Sequence, residues 1–213
     1  MAKSLVIVGA GGFGRETIDV VQAVNAAAPT SIWELTGVVD DSPSDLNLAR
    51  LEALSVPYLG TLDRLADFSH VAVAIGVGSP QARATIANRI DMWDLRTPDL
   101  VHPSAVVGSQ FSSQGGLIAC AHVSVGTNVT VGRHVHLNPD AVIGHDTSVG
   151  SFVSVNPSAT ISGDCTVEDG VLIGVAGVIL NRLTVRAHST IGGSACVVQD
   201  VPEGATVKGV PAR

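Results

Sequence analysis

From Val125 onward, every sixth residue is a branched aliphatic: Val131, Leu137, Ile143, Val149, Val155, Ile161, Val167, Ile173, Ile179, Val185, Ile191 and Val197. Four residues beyond each lies a small or medium side chain, among them Val129, Ala141, Thr147, Ala159, Cys165 and Ala195. Three residues beyond each, polar or turn-forming residues recur, such as Asn128, Asp140, Asp146, Ser158 and Asp164. The frame runs back more weakly through Ala119, Ser113, Val107 and Val101. A helix repeats near 3.6 residues and a lone strand at 2. A period of six with one large and one small inward residue predicts a short strand, a corner and another short strand. Three hexads close an eighteen-residue triangular coil. Coils stacked at roughly 4.8 Å predict five to six layers of parallel β-solenoid, about 25 Å in all. The period does not set the hand of the coil, and ordinary crossover rules predict a right-handed one. No long insertion follows Ala119, so no flap is expected to leave the solenoid.

Residues 1–97 follow another pattern. Ser4–Val8 reads as a buried strand, followed by Gly9-Ala-Gly-Gly-Phe-Gly14 and a helical stretch from Arg15 to about Ala26. Thr36–Asp40 is a second strand, ending at Asp40 and Asp41, and His70–Ile75 is a later one. The chain then passes Gly76-Val-Gly78 to Ser79 as N-cap and Pro80 at the first position of a helix through Ile90. Strands alternating with helices predict a small, Rossmann-like parallel α/β domain over residues 1–97, ahead of the solenoid over 98–213.

Gly9, Gly11 and Gly14 form a GxGxxG turn between strand and helix, where phosphates can approach backbone N–H groups. With an acidic residue ending the second strand this is the dinucleotide fingerprint, which makes a hydride-transferring enzyme a rival reading. Too little chain precedes the solenoid for a second mononucleotide half, which favours phosphate or nucleotide binding over full NAD binding. The plain alternative is a tight strand-to-helix turn.

Composition narrows the class. The chain has 213 residues, 46% hydrophobic and 15% charged, as a folded protein of one or two domains requires. No apolar run reaches the length of a membrane span, and Met1–Leu5 does not begin a secretory signal. The formal charge of −7 disfavours nucleic acid as a partner. Cys120, Cys165 and Cys196 are widely spaced with no CxxC, and read as reduced core residues of a cytoplasmic protein.

Of the seven histidines, His145 stands out. It occupies an outward position in Ile143-Gly-His-Asp-Thr-Ser148, with Asp146 next to it. Eighteen residues on, one coil higher, lies Gly163, which leaves room beside an imidazole and offers a backbone N–H. A neutral imidazole suits removal of a proton from an amine near pH 7, and the carboxylate can fix its tautomer. The alternative is an ordinary exposed corner residue. His134 and His136 read as surface and corner residues, and His102 as part of the turn before Pro103. No histidine pair has the HxxxxH spacing of the zinc carbonic anhydrases that share such solenoids, so no metal is expected.

A glycine-rich α/β domain, Leu100-Val-His-Pro-Ser-Ala105, the hexads, Ile143-Gly-His-Asp146 and a closing Val207-Lys-Gly-Val-Pro-Ala212 follow in that order. Over essentially its whole length the chain resembles the NeuD/PglD-type sugar acetyltransferases, which are left-handed β-helix hexapeptide-repeat acyltransferases. The resemblance implies a left-handed coil, acetyl-CoA as co-substrate and a homotrimer with the site between subunits. It implies an acceptor amine on a UDP-, dTDP- or GDP-linked 4-amino sugar. His145 then matches the general base, Asp146 its orienting acid, and Gly163 the N–H that polarises the thioester carbonyl. Asn138 matches an asparagine near the reacting groups. Gly9, Gly11, Gly12, Asp40 and Asp41 match the sugar-nucleotide end, and Gly163, Gly174, Gly192 and Lys208 the CoA wall. Ser154 stands where many members carry a second histidine, and a hydroxyl cannot carry a proton near neutrality as imidazole can. Two rival functions stay open at this point: O-acetylation of a sialic acid, and a non-catalytic nucleotide-binding or scaffold protein.

Overall fold

A computed structural model describes residues 2–68 and 70–213 of the chain; Met1 and Ser69 lie outside it. The backbone divides into two compact units, Met1–Pro103 and Ser104–Arg213.

The first unit is built on four parallel strands, β1 (Lys3–Val8), β2 (Trp33–Val39), β3 (Tyr58–Gly60) and β4 (Ala72–Ile75), in the order β3-β2-β1-β4. Leu5, Val6, Ile7, Val38, Val39, Val73 and Ile75 are all buried, so the central strands read as continuous apolar runs, as a sheet covered on both faces requires. Helix α1 (Gly12–Ala27) follows β1, α2 (Asp45–Ala53) lies between β2 and β3, and α3 (Pro80–Asp91) follows β4. The Ser79 hydroxyl accepts from the Ala82 N–H and Pro80 opens α3, so this helix begins where its sequence says it should. Strand β4 begins at Ala72 and not at His70, whose φ of 67° takes it out of the extended region.

The second unit is a stack of two-residue strands that recur every six residues from Ser112 to Val197. They form three parallel sheets in which each strand pairs with the one eighteen residues away, for example Val131 with Val149, Leu137 with Val155 and Ile143 with Ile161. All the aliphatics of the hexad register, from Val125 to Val197, are at most 3% exposed. Corners are made by residues in the left-handed region at the same period, including Asn128, His134, Asp140, Asp146, Phe152, Ser158 and Asp164, with φ between 53° and 61°. Asn and Asp accept this conformation at small cost, which explains the polar residue three positions past each aliphatic.

His134 and His136 are not surface residues: each is 1% exposed. His134 does hold a corner, but its ring stacks on Phe152 one coil further on, at 5.7 Å between centroids and 9° between planes. His136 pairs on either side with Ile118 and Ser154, which are buried as well.

Candidate active site

The corner joining strands Val142–Ile143 and Ser148–Val149 holds His145 and Asp146. Neighbouring residues of an extended chain point to opposite sides. At Asp146 a φ of 58° interrupts that alternation and lets its carboxylate meet the side chain of the residue before it. His145 Nδ1 lies 2.7 Å from Asp146 Oδ2. The other carboxylate oxygen, Oδ1, accepts from Asn128 Nδ2 at 2.8 Å. The Asn128 amide, and after it the imidazole, hold the Asp146 carboxyl below the usual carboxylate range, so it is an anion at neutral pH. An anion there makes Nδ1 the protonated nitrogen and leaves Nε2 as an acceptor.

Nε2 faces Gly163. A Cβ placed on Gly163 would lie 2.7 Å from His145 Nε2 and 2.8 Å from Cε1, so only glycine leaves the ring its position. The contact of a histidine with a glycine one coil away is not special in itself, because His188 does the same over Gly170. There, however, Nδ1 faces the glycine, and among the described residues no carboxylate is bonded to His188. His145 is the described histidine that combines a carboxylate-held Nδ1 with an Nε2 turned to a bare backbone, and its side chain is 64% exposed.

The Gly163 N–H has no acceptor among the described residues, whereas equivalent groups at the next corner are capped from the coil above. There the Arg133 N–H donates to Ser151 Oγ and the Ser151 N–H to Asp169 Oδ1. Beneath the corner, the buried Thr147 hydroxyl lies 3.2 Å from the Ser162 carbonyl and 3.3 Å from that of His145. Burial pushes the Cys165 thiol pKa up, so its S–H is a neutral donor, directed to the Leu180 carbonyl at 3.2 Å.

In the first unit the glycine-rich turn separates into two kinds of glycine. Gly9 has φ 107°, and a Cβ there would lie 2.9 Å from the Gly76 carbonyl oxygen; a Cβ on Gly14 would overlap the Gly9 carbonyl. These two close the turn onto the sheet. Cβ atoms on Gly11 or Gly12 would meet nothing within 4 Å, so packing does not demand glycine there. Asp40 Oδ2 accepts from the Ala10 N–H at 2.8 Å and holds the turn open. Asp41 accepts from the Leu62 N–H and from Arg89, which also reaches Asp63. Between these groups lies a pocket of about 260 Å³, lined by Val8, Gly9, Asp40, Asp41, Leu62, Val77 and Ile86. A larger groove of about 470 Å³ beside α2, lined by Leu48, Leu51, Val56, Pro57 and Tyr58, is apolar and offers little chemistry.

The structure thus brings His145, Asp146 and Gly163 together, and Gly9, Asp40 and Asp41 together. It places Gly174, Gly192 and Lys208 in one column at a different edge of the solenoid, where a Cβ on Gly192 would touch the Lys208 stem at 3.1 Å. Asn138 belongs to that column's register, 8% exposed, its amide donating to the Val155 carbonyl. Ser154 is 2% exposed, in register with His136. Asn128 was not among the expected site residues. Its signal is its position eighteen residues before Asp146, which places it under that carboxylate once the coil closes. Among the described residues no cluster of His, Cys, Asp and Glu could hold a metal, and no helix is long and apolar enough to cross a membrane.

Residues 4–90 match the PglD N-terminal domain. A GDP-perosamine N-acetyltransferase of Escherichia coli O157:H7 is 31% identical over 139 residues, 65% of this chain; the match spans 61% of that relative's length. Among solved structures, the acetyltransferase domain of PglB from Neisseria gonorrhoeae in complex with acetyl coenzyme A superposes with a TM-score of 0.85 at 24% identity, covering 100% of this chain and 99% of that one. PerB from Caulobacter crescentus, in complex with CoA and GDP-perosamine, superposes with a TM-score of 0.85 at 23% identity, covering 100% and 97%. The fold is that of these proteins: a small parallel α/β domain followed by a left-handed parallel β-helix.

Proposed function

We propose that this chain is a member of the NeuD/PglD-type sugar acetyltransferase family, and that it transfers an acetyl group from acetyl-CoA to the amino group of a nucleotide-linked 4-amino-deoxy sugar. The observation that carries the reading is the His145 corner: an imidazole with Nδ1 held by an ionised Asp146 and Nε2 turned to Gly163. Nε2 takes the proton of the amine as the nitrogen attacks the thioester carbon. Asp146 stabilises the imidazolium that forms, and the Gly163 N–H donates to the oxygen on which charge develops. The tetrahedral intermediate collapses by expelling the CoA sulfur, which takes the proton from the His145 imidazolium and leaves as thiol.

The division of labour follows the sequence: residues 1–97 take the nucleotide-sugar and residues 98–213 perform the transfer. The 260 Å³ pocket at Gly9, Asp40 and Asp41 is below the size of typical whole-ligand pockets, which suits one ring of a nucleotide and not a dinucleotide. The open sides of Gly11 and Gly12 suit its phosphates at the N-terminus of α1. Gly174, Gly192 and Lys208 share no edge with Gly163. A homotrimer that sets one copy's Gly192 edge beside another's His145 edge would complete an acetyl-CoA groove, with Gly163 as its reactive end. Asn138 and Ser154, both buried, are asked for indirect support only. The enzyme would work in the cytoplasm, where acetyl-CoA and nucleotide-sugars are made available together.

The test is release of CoA thiol from acetyl-CoA with a panel of UDP-, dTDP- and GDP-linked 4-amino sugars and free sialic acid. Turnover on a nucleotide-linked amine is expected, and His145→Ala should lower it by about a hundredfold or more with the fold intact. Turnover on sialic acid alone would replace the reading by O-acetylation. An inert protein without affinity for acetyl-CoA would leave only a binding or scaffold role.

A further inference from the structure

Most inward positions of the small-residue register are hydrocarbon: Val129, Val135, Ala141, Val153, Ala159, Val171 and Ala195 are all buried. Thr147 (2% exposed), at the corner that carries His145, departs from this, as do Cys165 one coil above it and Ser189 at another corner, whose Sγ and Oγ also donate to carbonyls. The Thr147 hydroxyl lies 3.2 Å from the Ser162 carbonyl and 3.3 Å from the His145 carbonyl, and it accepts from the Cys165 N–H at 3.4 Å. It therefore ties the coil of His145 to the coil of Gly163 from within. The Ser162 carbonyl and the Gly163 N–H are two ends of one planar trans peptide group, and they point in opposite directions. A donor on the carbonyl from inside the coil fixes the plane so that the N–H points out, toward the face over which His145 lies. The same bond polarises the amide and strengthens its N–H as a donor.

We infer that Thr147 is a positioning residue for acetyl transfer: its buried hydroxyl, bonded to the Ser162 carbonyl, orients and polarises the Gly163 N–H that receives the oxyanion. This rests on the proposed acetyl transfer and adds to it a residue that touches neither substrate. No covalent step is added, since the hydroxyl keeps its proton throughout.

Valine occupies the equivalent register at Val129 one coil below, so Thr147→Val should fold; Thr147→Ser keeps the hydroxyl and loses only the methyl group. Losing an interaction made only in the transition state lowers kcat and leaves KM in place. Thr147→Val should lose about tenfold in kcat with both KM values unchanged, and Thr147→Ser should restore most of it. The Gly163 amide resonance should move upfield in Thr147→Val and stay in Thr147→Ser, as loss of a bond to the peptide carbonyl requires. Wild-type kcat in Thr147→Val overturns the inference, and so does a loss of kcat with an unmoved Gly163 resonance. If the wild-type protein transfers no acetyl group, or His145→Ala is fully active, the parent reading fails. The amide resonance alone then still tests the coupling between Thr147 and Gly163.

Discussion

At the corner, the Asn128 amide bonded to Oδ1 is the largest single cause that holds the Asp146 carboxyl low, and the bond to His145 comes next. The Asp146 pKa is lower folded than unfolded. Its share of stability is thus fully present above the unfolded value, about 3.9, and is lost as the pH falls through the lower folded value. Asn128→Ala should move the Asp146 carboxyl back up toward the ordinary range, which a carbon-13 carboxyl titration reads. An unmoved titration would show that the Asn128 amide does not hold the carboxylate. Gly12 and Gly14 make a second residue-scale contrast. Gly12 is exposed at the start of α1 with open space around it, so Gly12→Ala should leave Tm unchanged or raised. Its KM for the nucleotide-sugar should rise about tenfold, the loss of roughly one amide–phosphate bond. Gly14→Ala, which drives a Cβ into the Gly9 carbonyl, should fail to fold properly.

Among the elements, the solenoid strands were legible because each is only two residues long and its inward member is an aliphatic at a fixed period. Ile143 is 1% exposed and Val142, its neighbour, 36%. Ile143→Ala should therefore cost about 2–5 kcal/mol, and Val142→Ala should stay within about 0.5 kcal/mol, both read by denaturant unfolding. Equal costs would mean that the alternation does not set the core. The elements that escaped the sequence are those with little buried face. Helix α2 buries only Leu51, and the 3₁₀ turn Leu62–Asp67 only Leu62 and Leu65, so neither leaves a helical period to read. The site was legible in part for a similar reason. His145 and Asp146 adjoin in sequence, and Gly163 follows from the eighteen-residue repeat, whereas Asn128 and Thr147 matter only through bonds that exist once neighbouring coils stack. The burial of His134 and His136 could not be read from a register that elsewhere faces solvent.

For the whole molecule, the separation of the Gly192 edge from the His145 edge makes catalysis a property of the assembly, if acetyl-CoA lies as proposed. Sedimentation should then give three copies. Equal mixtures of His145→Ala and Gly192→Tyr chains, each inactive alone, should regain about a quarter of wild-type activity when assembled together, the share of boundaries with both edges intact. Absence of any recovery would place the whole site on one copy. The eighteen-residue pairing register of the solenoid has one more consequence. Inserting or deleting a whole coil shifts everything above it by one storey and leaves every edge facing its old direction. Inserting a single hexad above Gly163 instead turns all later residues by a third of a revolution, so that in this protein a change of length is a change of bearing.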